Sequence, residues 1–245
     1  MASTSGESQL TFRSVSFAYD QEPVLADLSF EVLGGEIVGY LGVNGAGKTT
    51  TFLLASGLLK PASGAISVVG CDPARSKKWS HEVGVLTAGA GLYPRLTVRR
   101  NLAFFAELYS QKVDIDRHLA DHGLADYANK PAGQLSQGFR RRLALARATV
   151  HSPRLLLLDE PADGLDPQGT EHLHARLRNF AGEGGAVVYT SHRMEEVERL
   201  CHRVLLLNRG TITLEGTPQD LSKRGRGKGL RDLVLELQSD GGGVA

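Results

Sequence analysis

One nine-residue stretch limits what this chain can fold into more than any other. Its sequence is GVNGAGKTT at residues 42–50, and it follows an apolar run at residues 36–41 and precedes a helical pattern from residue 51. Glycines let the backbone turn tightly and bring its N–H groups close to an anion. The N-terminus of the following helix adds positive partial charge at the same place. Strand, glycine loop and helix in this order predict a phosphate-binding loop of the Walker A type.

The side chains of this loop predict its ligand. Lys48 can reach the β- and γ-phosphates of a nucleoside triphosphate, and the Thr49 hydroxyl can ligate Mg²⁺. The residues predicted to surround the phosphates are Asn44, Gly45, Ala46, Gly47, Lys48, Thr49 and Thr50. The alternative is an ordinary glycine-rich turn with a chance Lys-Thr pair, and the strand–loop–helix context argues against it.

Length, charge and cysteine content exclude several classes of protein. A chain of 245 residues suits one large domain or two small ones, and its 28 basic and 27 acidic residues give no indication of a nucleic-acid partner. Cys71 and Cys201 form no metal-binding pattern, which suits a reducing cytoplasm. No apolar run is long enough to span a bilayer, and the N-terminus does not resemble a secretion signal. We therefore expect a cytoplasmic protein that needs a second chain for any role in a membrane.

The hydrophobic pattern predicts an α/β protein. Alternating runs at residues 9–15, 24–32 and 65–69, separated by tight turns, predict short strands of a small antiparallel layer. The pattern of a fully buried strand at residues 154–159, with four leucines in succession, and the apolar run at residues 186–189 predict strands of a parallel core beside that layer.

A change of pattern interrupts this core. Helical patterns follow one another up to about residue 150 with no convincing strand, so we predict a helical subdomain inserted at about residues 87–150. Two further helices and a hairpin are predicted at residues 169–180, 194–201 and 204–214. A basic run then leads from residue 222 into a short helix at residues 230–237. This run is either a solvated surface or a contact with an anionic membrane face.

Two adjacent acids follow the apolar run that resumes the core. Four leucines at residues 155–158 precede Asp159 and Glu160, which is the Walker B pattern. Asp159 can hold Mg²⁺, and Glu160 is placed to accept a proton from the water that attacks the γ-phosphate. Two acids after a strand would otherwise indicate a surface turn, but a phosphate loop is present in the same chain.

The stretch LSQGFRRRLALARA at residues 135–148 resembles the signature motif of ABC ATPases, because it keeps the Leu-Ser-x-Gly of that family. Phe139 stands where Gln is commonest. Ser136 and Gly138 at a helix N-terminus can form a second phosphate-binding device, although Ser136 taken alone could be an ordinary helix N-cap.

The resemblance covers roughly residues 9–237 and implies further assignments. It implies a P-loop NTPase core with a RecA-like parallel sheet, in an ABC ATP-binding domain at residues 1–221 and a tail at residues 222–245. Asp166 in PADGLDP at residues 161–167 resembles the D-loop acid, and His192 resembles the switch histidine that contacts the γ-phosphate. Tyr19 resembles the aromatic residue that stacks on adenine, although a tyrosine in a turn is otherwise core packing.

The chain departs from the family at two positions. Relatives carry Gln or Glu where this chain has Ala88, and that side chain touches Mg²⁺ or the attacking water. We therefore expect slow basal hydrolysis, unless the Thr87 hydroxyl substitutes. The second departure is Arg99-Arg100, where relatives carry an acid before the asparagine.

The function implied by the resemblance is the ATP-binding and hydrolysing subunit of an ABC transporter, of the ABC-2 exporter type. The implied cofactors are ATP and Mg²⁺, and the catalytic residues are Lys48, Glu160 and His192. The implied partners are a transmembrane permease, which residues 91–98 would face, and a second ATPase subunit in a homodimer or heterodimer. Such a chain sits on the inner face of the cell membrane.

Two other functions remain open from the sequence. One is a soluble ABC ATPase without a membrane partner, and the other is a regulatory protein that hardly hydrolyses ATP. Measured turnover would separate the regulator from the enzymes, and copurification with a membrane protein would separate the two enzymes.

Overall fold

The computed structural model describes residues 6–87, 89, 91–224 and 229–239, with side chains up to residue 235. Its strands, numbered in chain order, are β1 (Ser8–Tyr19), β2 (Glu22–Leu33), β3 (Ile37–Gly42), β4 (Ser63–Val68), β5 (Val83–Leu86), β6 (Leu155–Leu158), β7 (Ala186–Tyr189), β8 (Arg203–Asn208) and β9 (Thr211–Gly216). Its helices are α1 (Lys48–Ala55), α2 (Val98–Leu108), α3 (Ile115–Asp121), α4 (Gln137–Thr149), α5 (Pro167–Gly182), α6 (Met194–Leu200), α7 (Pro218–Arg224) and α8 (Leu230–Ser239). None of these helices, in the part of the chain that the structure describes, is both long and apolar enough to cross a membrane.

The strands form two sheets. One is antiparallel, with the order β2-β1-β4, and the other has the order β5-β6-β7-β3-β8-β9. In the second sheet all neighbours are parallel except the β8–β9 hairpin. The predicted α/β class, with a parallel core and a small antiparallel layer, is confirmed.

The parallel sheet is buried on both faces, and its central strands β6 and β7 are apolar and buried at every position. Leu155 and Leu157 belong to the hydrophobic cluster shared with the antiparallel sheet. Leu156 and Leu158 belong to the cluster on the opposite face, beneath α5 and α6. Successive side chains of a strand point to opposite faces, so a four-leucine strand supplies both layers of the core.

The predicted helices between the two parts of the core are present, and they pack around their own cluster. This third cluster includes Val98 and Leu102 of α2, Leu119 of α3 and Leu143 of α4. Ala144 and other residues of α4 instead join the cluster beneath the parallel sheet. Helix α4 therefore connects the helical subdomain to the core.

The end of the described chain packs on the core. The domain boundary predicted between residues 221 and 222 falls inside α7. Leu230 of α8 is fully buried in the cluster beneath the parallel sheet, and its backbone N–H donates to the Glu198 Oε1 atom of α6 at 3.2 Å. Helix α8 is thus fixed to α6, while the basic residues Arg226 and Lys228 lie outside the described residues.

Candidate nucleotide site

The candidate site forms where three neighbouring parallel strands end. Strands β6, β7 and β3 are adjacent in that order. Asp159 follows β6, His192 lies just beyond β7, and the glycine loop follows β3. The carboxyl ends of parallel strands meet at one edge of the sheet, which is where ligands bind in open α/β sheets. Motifs that are far apart in the sequence therefore meet there.

The backbone of the loop at residues 42–47 requires glycine. Gly47 has a φ of 109°, which L-residues with a Cβ atom rarely adopt. A Cβ atom there would also lie 2.6 Å from Leu25 Cδ2. Of the predicted phosphate-binding residues, Asn44, Gly45 and Thr49 are exposed, whereas Ala46, Gly47 and Thr50 are buried. The exposed set can meet a ligand directly, and the buried set shapes the loop.

Lys48 begins α1 and folds back over the loop. Its Nζ atom donates to the carbonyl oxygens of Gly42 at 2.6 Å and Val43 at 3.1 Å. Burial lowers the pKa of Lys48, and the carboxylates of Asp159 and Glu160 act against this effect. The loop lysine therefore lies within electrostatic reach of both acids that follow β6.

Thr190 joins the two acids. Its Oγ1 atom donates to Asp159 Oδ1 at 2.7 Å and accepts a hydrogen bond from the Glu160 backbone N–H at 2.9 Å. Glu160 has a φ of 49°, in the left-handed region that is disfavoured for glutamate. The buried hydroxyl of Thr190 thus fixes both the Asp159 carboxylate and the backbone turn at Glu160.

Glu160 and His192 form a direct pair. The Oε2 atom of Glu160 lies 2.9 Å from His192 Nδ1 and accepts from the His192 backbone N–H at 3.2 Å. The His192 side chain is 62% exposed and that of Glu160 is 29% exposed, so both can reach a ligand. Asp163 lies close enough for the three residues to form a group that could hold a metal ion. That group differs from the predicted ligands, Thr49 and Asp159.

The donor chemistry at the predicted ligands nevertheless suits a hard cation. Magnesium prefers oxygen ligands, and the Thr49 hydroxyl and the Asp159 carboxylate supply them. Thr190 is the one side chain of the described residues that donates to the Asp159 carboxylate, and it uses Oδ1. The Oδ2 atom accepts no hydrogen bond from a described side chain, so the residues present fit a metal ion.

The signature and D-loop residues form a second cluster. Ser136 is the N-cap of α4 and accepts from the Phe139 backbone N–H at 3.4 Å. A Cβ atom on Gly138 would lie 2.9 Å from the Gly164 carbonyl oxygen, so the glycine allows α4 to pack on the D-loop. Asp166 is the N-cap of α5. One depression brings these elements together, and it is lined by Ser136, Gln137, Gly138, Phe139, Arg142, Gly164, Leu165 and Asp166.

The two clusters are separate within the described chain. No hydrogen bond between described residues joins Ser136, Gly138 or Asp166 to the loop at residues 42–47. Tyr19 ends β1, is 44% exposed and packs edge-on against Phe17 at 4.8 Å between ring centroids. A planar ligand can therefore reach the Tyr19 ring. In the described part of the chain, no hydrogen bond links Tyr19 to either cluster.

Sequence reasoning missed two buried polar residues that hold backbone turns. Arg141 of α4 donates to the backbone carbonyl oxygens of the two Walker B acids, Asp159 and Glu160, and to that of Thr87. Asn101 of α2 is fully buried, and its Nδ2 atom donates to the carbonyl oxygens of Tyr93, Leu96 and Thr97. Arg141 lies within the signature stretch at residues 135–148, and Asn101 lies in no motif. The sequence does not reveal either role, because a side chain that binds backbone carbonyl oxygens has no fixed partner residue.

The Ala88 position lies outside the described residues. Its neighbour Thr87 is described, and the Thr87 Oγ1 atom donates to the Gly89 carbonyl oxygen at 3.2 Å. The substitution of Thr87 for the missing polar side chain therefore stays a prediction.

A glycine loop and a pair of acids at the carboxyl edge of a parallel sheet define a P-loop nucleotide hydrolase. The comparisons with known proteins narrow this class. The ABC transporter family model matches residues 25–163. A relative from Burkholderia pseudomallei (strain 1710b), the Nod factor export ATP-binding protein I, is 41% identical over 86% of this chain and 72% of its own length. The ABC transporter ATP-binding protein NatA of Bacillus subtilis (strain 168) is 36% identical over 85% of this chain and 88% of its own length.

Solved structures agree with these relatives. An ATP-binding subunit of an ABC transporter matches with a TM-score of 0.86 and 28% identity, over 94% of this chain and 99% of the other. The cbiO1 subunit from Clostridium perfringens, part of the cbiONQ transporter complex, matches with a TM-score of 0.78 and 27% identity, over 96% of this chain and 98% of the other. The chain belongs to the ABC transporter family, as an ATP-binding and ATP-hydrolysing subunit. The alternative of a soluble or regulatory ATPase finds no support among these relatives.

Proposed function

We propose that this ATPase drives a separate transmembrane permease of the ABC-2 exporter type, and that it works as a head-to-tail dimer on the inner face of the cell membrane. The dimer is supported by one observation: the two predicted phosphate-binding motifs lie apart from each other within one chain. The loop at residues 42–47 and the α4 N-terminus at Ser136 share no hydrogen bond within the described chain. A second subunit placed in the opposite direction would bring its Ser136 to this subunit's nucleotide.

In this proposal each side chain of the site has one task. Thr49 and Asp159 would hold Mg²⁺, which when bound would neutralise charge on the β- and γ-phosphates. Lys48 leaves the carbonyl oxygens that it binds and binds the γ-phosphate. Glu160 accepts the proton of the attacking water, and His192, which is paired with Glu160 at 2.9 Å, donates to the γ-phosphate. Tyr19 stacks on adenine, and Asp166 lies at the dimer contact.

An exposed aromatic surface supports the permease as the partner. Tyr93 packs against Phe104 at 5.0 Å between ring centroids, and both are at least 40% exposed, while Leu108 on the same helix is 61% exposed. Asn101 fixes the backbone of the loop that presents Tyr93. Exposed apolar patches of this kind are typical of protein contacts. The direction of transport rests on the relatives that are named for export.

Turnover of Glu160→Gln tests the enzymatic part of the proposal. We expect ATP affinity to be kept and kcat to fall by about 10²–10⁴-fold, the usual contribution of a positioned general base. Glu183→Gln is the matched control, because Glu183 is an exposed acid at the far end of α5. Unchanged kcat in Glu160→Gln would remove the base role.

Copurification tests the partner. When a tagged form of the chain is purified from the organism that naturally makes it, a polytopic membrane protein should copurify. Phe104→Ser should reduce the amount of this membrane protein that copurifies, without changing ATP turnover. Leu58→Ser is the control, since Leu58 is 72% exposed and lies after α1. Equal retention by the two variants would contradict the docking surface at Phe104.

A further inference from the structure

A buried arginine on the signature helix is bound almost entirely to backbone carbonyl oxygens. Arg141 of α4 is 8% exposed. Its guanidinium donates to the carbonyl oxygens of Thr87 at 3.1 Å, Pro161 at 3.3 Å, Asp159 and Glu160. No carboxylate of the described chain lies within ion-pair distance of it. Burying a charge without an ion pair is costly. A guanidinium buried in this way therefore calls for a reason why it is placed against these four carbonyl oxygens.

The geometry of those contacts provides one. Three consecutive carbonyl oxygens, at residues 159–161, turn towards a single planar group with rigidly placed donors. The middle residue is Glu160, whose left-handed backbone needs support from its surroundings. Thr190, directly after β7, accepts the hydrogen bond of the N–H group in the same turn. Arg141 holds its carbonyl side from α4, so the turn is fixed from both directions.

We propose that Arg141 is a positioning residue for hydrolysis, which makes the placement of Glu160 depend on the orientation of α4. This inference rests on the proposed role of Glu160 as the base. Helix α4 carries Ser136 at its N-terminus, and Arg141 also binds the carbonyl oxygen of Thr87, in the segment that leads to the aromatic surface. Binding of a partner's nucleotide at Ser136 would therefore shift the Arg141 guanidinium through α4. Binding of a permease at the segment after Thr87 would shift the same guanidinium through the Thr87 carbonyl oxygen. Both events act on Glu160 through one side chain.

A second arginine on the same helix provides a matched control. Arg147 is also largely buried and donates to one carbonyl oxygen, that of Val85 in β5, at 2.8 Å. Its guanidinium lies over the Phe105 ring at 5.2 Å. Arg147→Met removes a buried guanidinium–carbonyl contact without touching the turn at Glu160.

The experiment measures kcat and KM for ATP with the full chain. We expect Arg141→Met to lower kcat by about 10²-fold, the order of loss that a misplacement of about 1 Å causes, while KM changes little. Arg141→Gln, whose amide can serve at most two of the four carbonyl oxygens, should lose less. Arg147→Met should keep its kcat. In a Glu160→Gln background, Arg141→Met should cause little further loss, because residues that act as a unit are not additive.

Three results would overturn the proposal. They are a wild-type kcat in Arg141→Met, an equal loss in Arg147→Met, and a full additional loss in the Glu160→Gln background. If Arg141→Met does not fold, a wild-type kcat in Arg141→Gln overturns it equally. The role of Glu160 is judged separately, by the single Glu160→Gln variant. A loss in that variant together with additive behaviour of Arg141 rejects this inference alone.

Discussion

Replacing Thr190 with valine should loosen the site while it keeps the shape of the side chain. Valine matches threonine in volume but removes the hydroxyl that donates to Asp159 Oδ1 at 2.7 Å and accepts from the Glu160 N–H at 2.9 Å. A hydrogen bond to a charged group contributes about 1.5–3 kcal/mol, and a buried N–H left unpaired costs about 1–3 kcal/mol. Because Asp159 is only half-buried, water replaces part of the first contribution. We expect a total loss of about 3 kcal/mol in the free energy of unfolding.

Thermal unfolding without nucleotide measures this loss. For a chain of this length about 1 kcal/mol shifts Tm by roughly 2–4 °C, so Thr190→Val should melt about 6–12 °C below the wild type. Thr190→Ser is the control, because it keeps the hydroxyl and loses one methyl group, which corresponds to about 1 kcal/mol. If the valine and serine variants melt at the same temperature, the hydroxyl does not hold the turn. The valine variant should also lose turnover, since both acids would be displaced.

Three further predictions concern other parts of the chain. Gly138→Ala should lower both Tm and turnover, because its Cβ atom would lie 2.9 Å from the Gly164 carbonyl oxygen, whereas Gly182→Ala, with no atom within 4 Å of the added Cβ, should keep both. Burial lowers the pKa of His151 from 6.5 to about 4, so the unfolded chain takes up a proton first on acidification and the fold loses about 3 kcal/mol relative to neutral pH. The loss should occur as the pH falls from about 6.5 to 4. Burial also lowers the pKa of His118, His122 and His174, so His151→Gln should make the Tm–pH curve less steep in this range without flattening it, and an unchanged slope would contradict the assignment. Ser136→Arg should abolish turnover without weakening ATP binding to the isolated subunit, and a large loss of affinity measured by titration would place Ser136 in its own subunit's site.

The motifs could be predicted because their chemistry fixes both residue type and spacing. A phosphate loop needs glycine where φ is positive, as at Gly47, and the acid proposed to hold the metal ion, Asp159, directly follows a buried strand at the sheet edge. The four-leucine strand β6 was equally recognisable, since a strand buried on both faces is apolar throughout. These requirements act over a few residues, and a single sequence displays them.

Other parts of the structure have no such local requirement. Strand β5 was not predicted because Gly84 interrupts its short apolar run, whereas the equally short β6 and β7 contain no glycine. An added Cβ atom at Gly84 would lie 2.1 Å from the Ala148 carbonyl oxygen, so the glycine is required by packing that the sequence does not display. Helix α7 was likewise missed. The chain has three arginines in succession at residues 140–142, of which the first is exposed and the second is buried. Only the packing of α4 on the core decides that Arg141 is the one that binds the turn at Glu160.

The strand order has a consequence for synthesis on the ribosome. Strand β3, which carries the phosphate loop, has β7 and β8 as its only neighbours in the described sheet. Both follow the helical subdomain, and β8 ends at Asn208. During synthesis the phosphate loop is therefore made more than 150 residues before the second of its neighbouring strands is complete. Contacts this distant in sequence form slowly, and exposed apolar strands attract aggregation meanwhile. Nucleotide added to a nascent chain should find no binding site until β8 has left the ribosome.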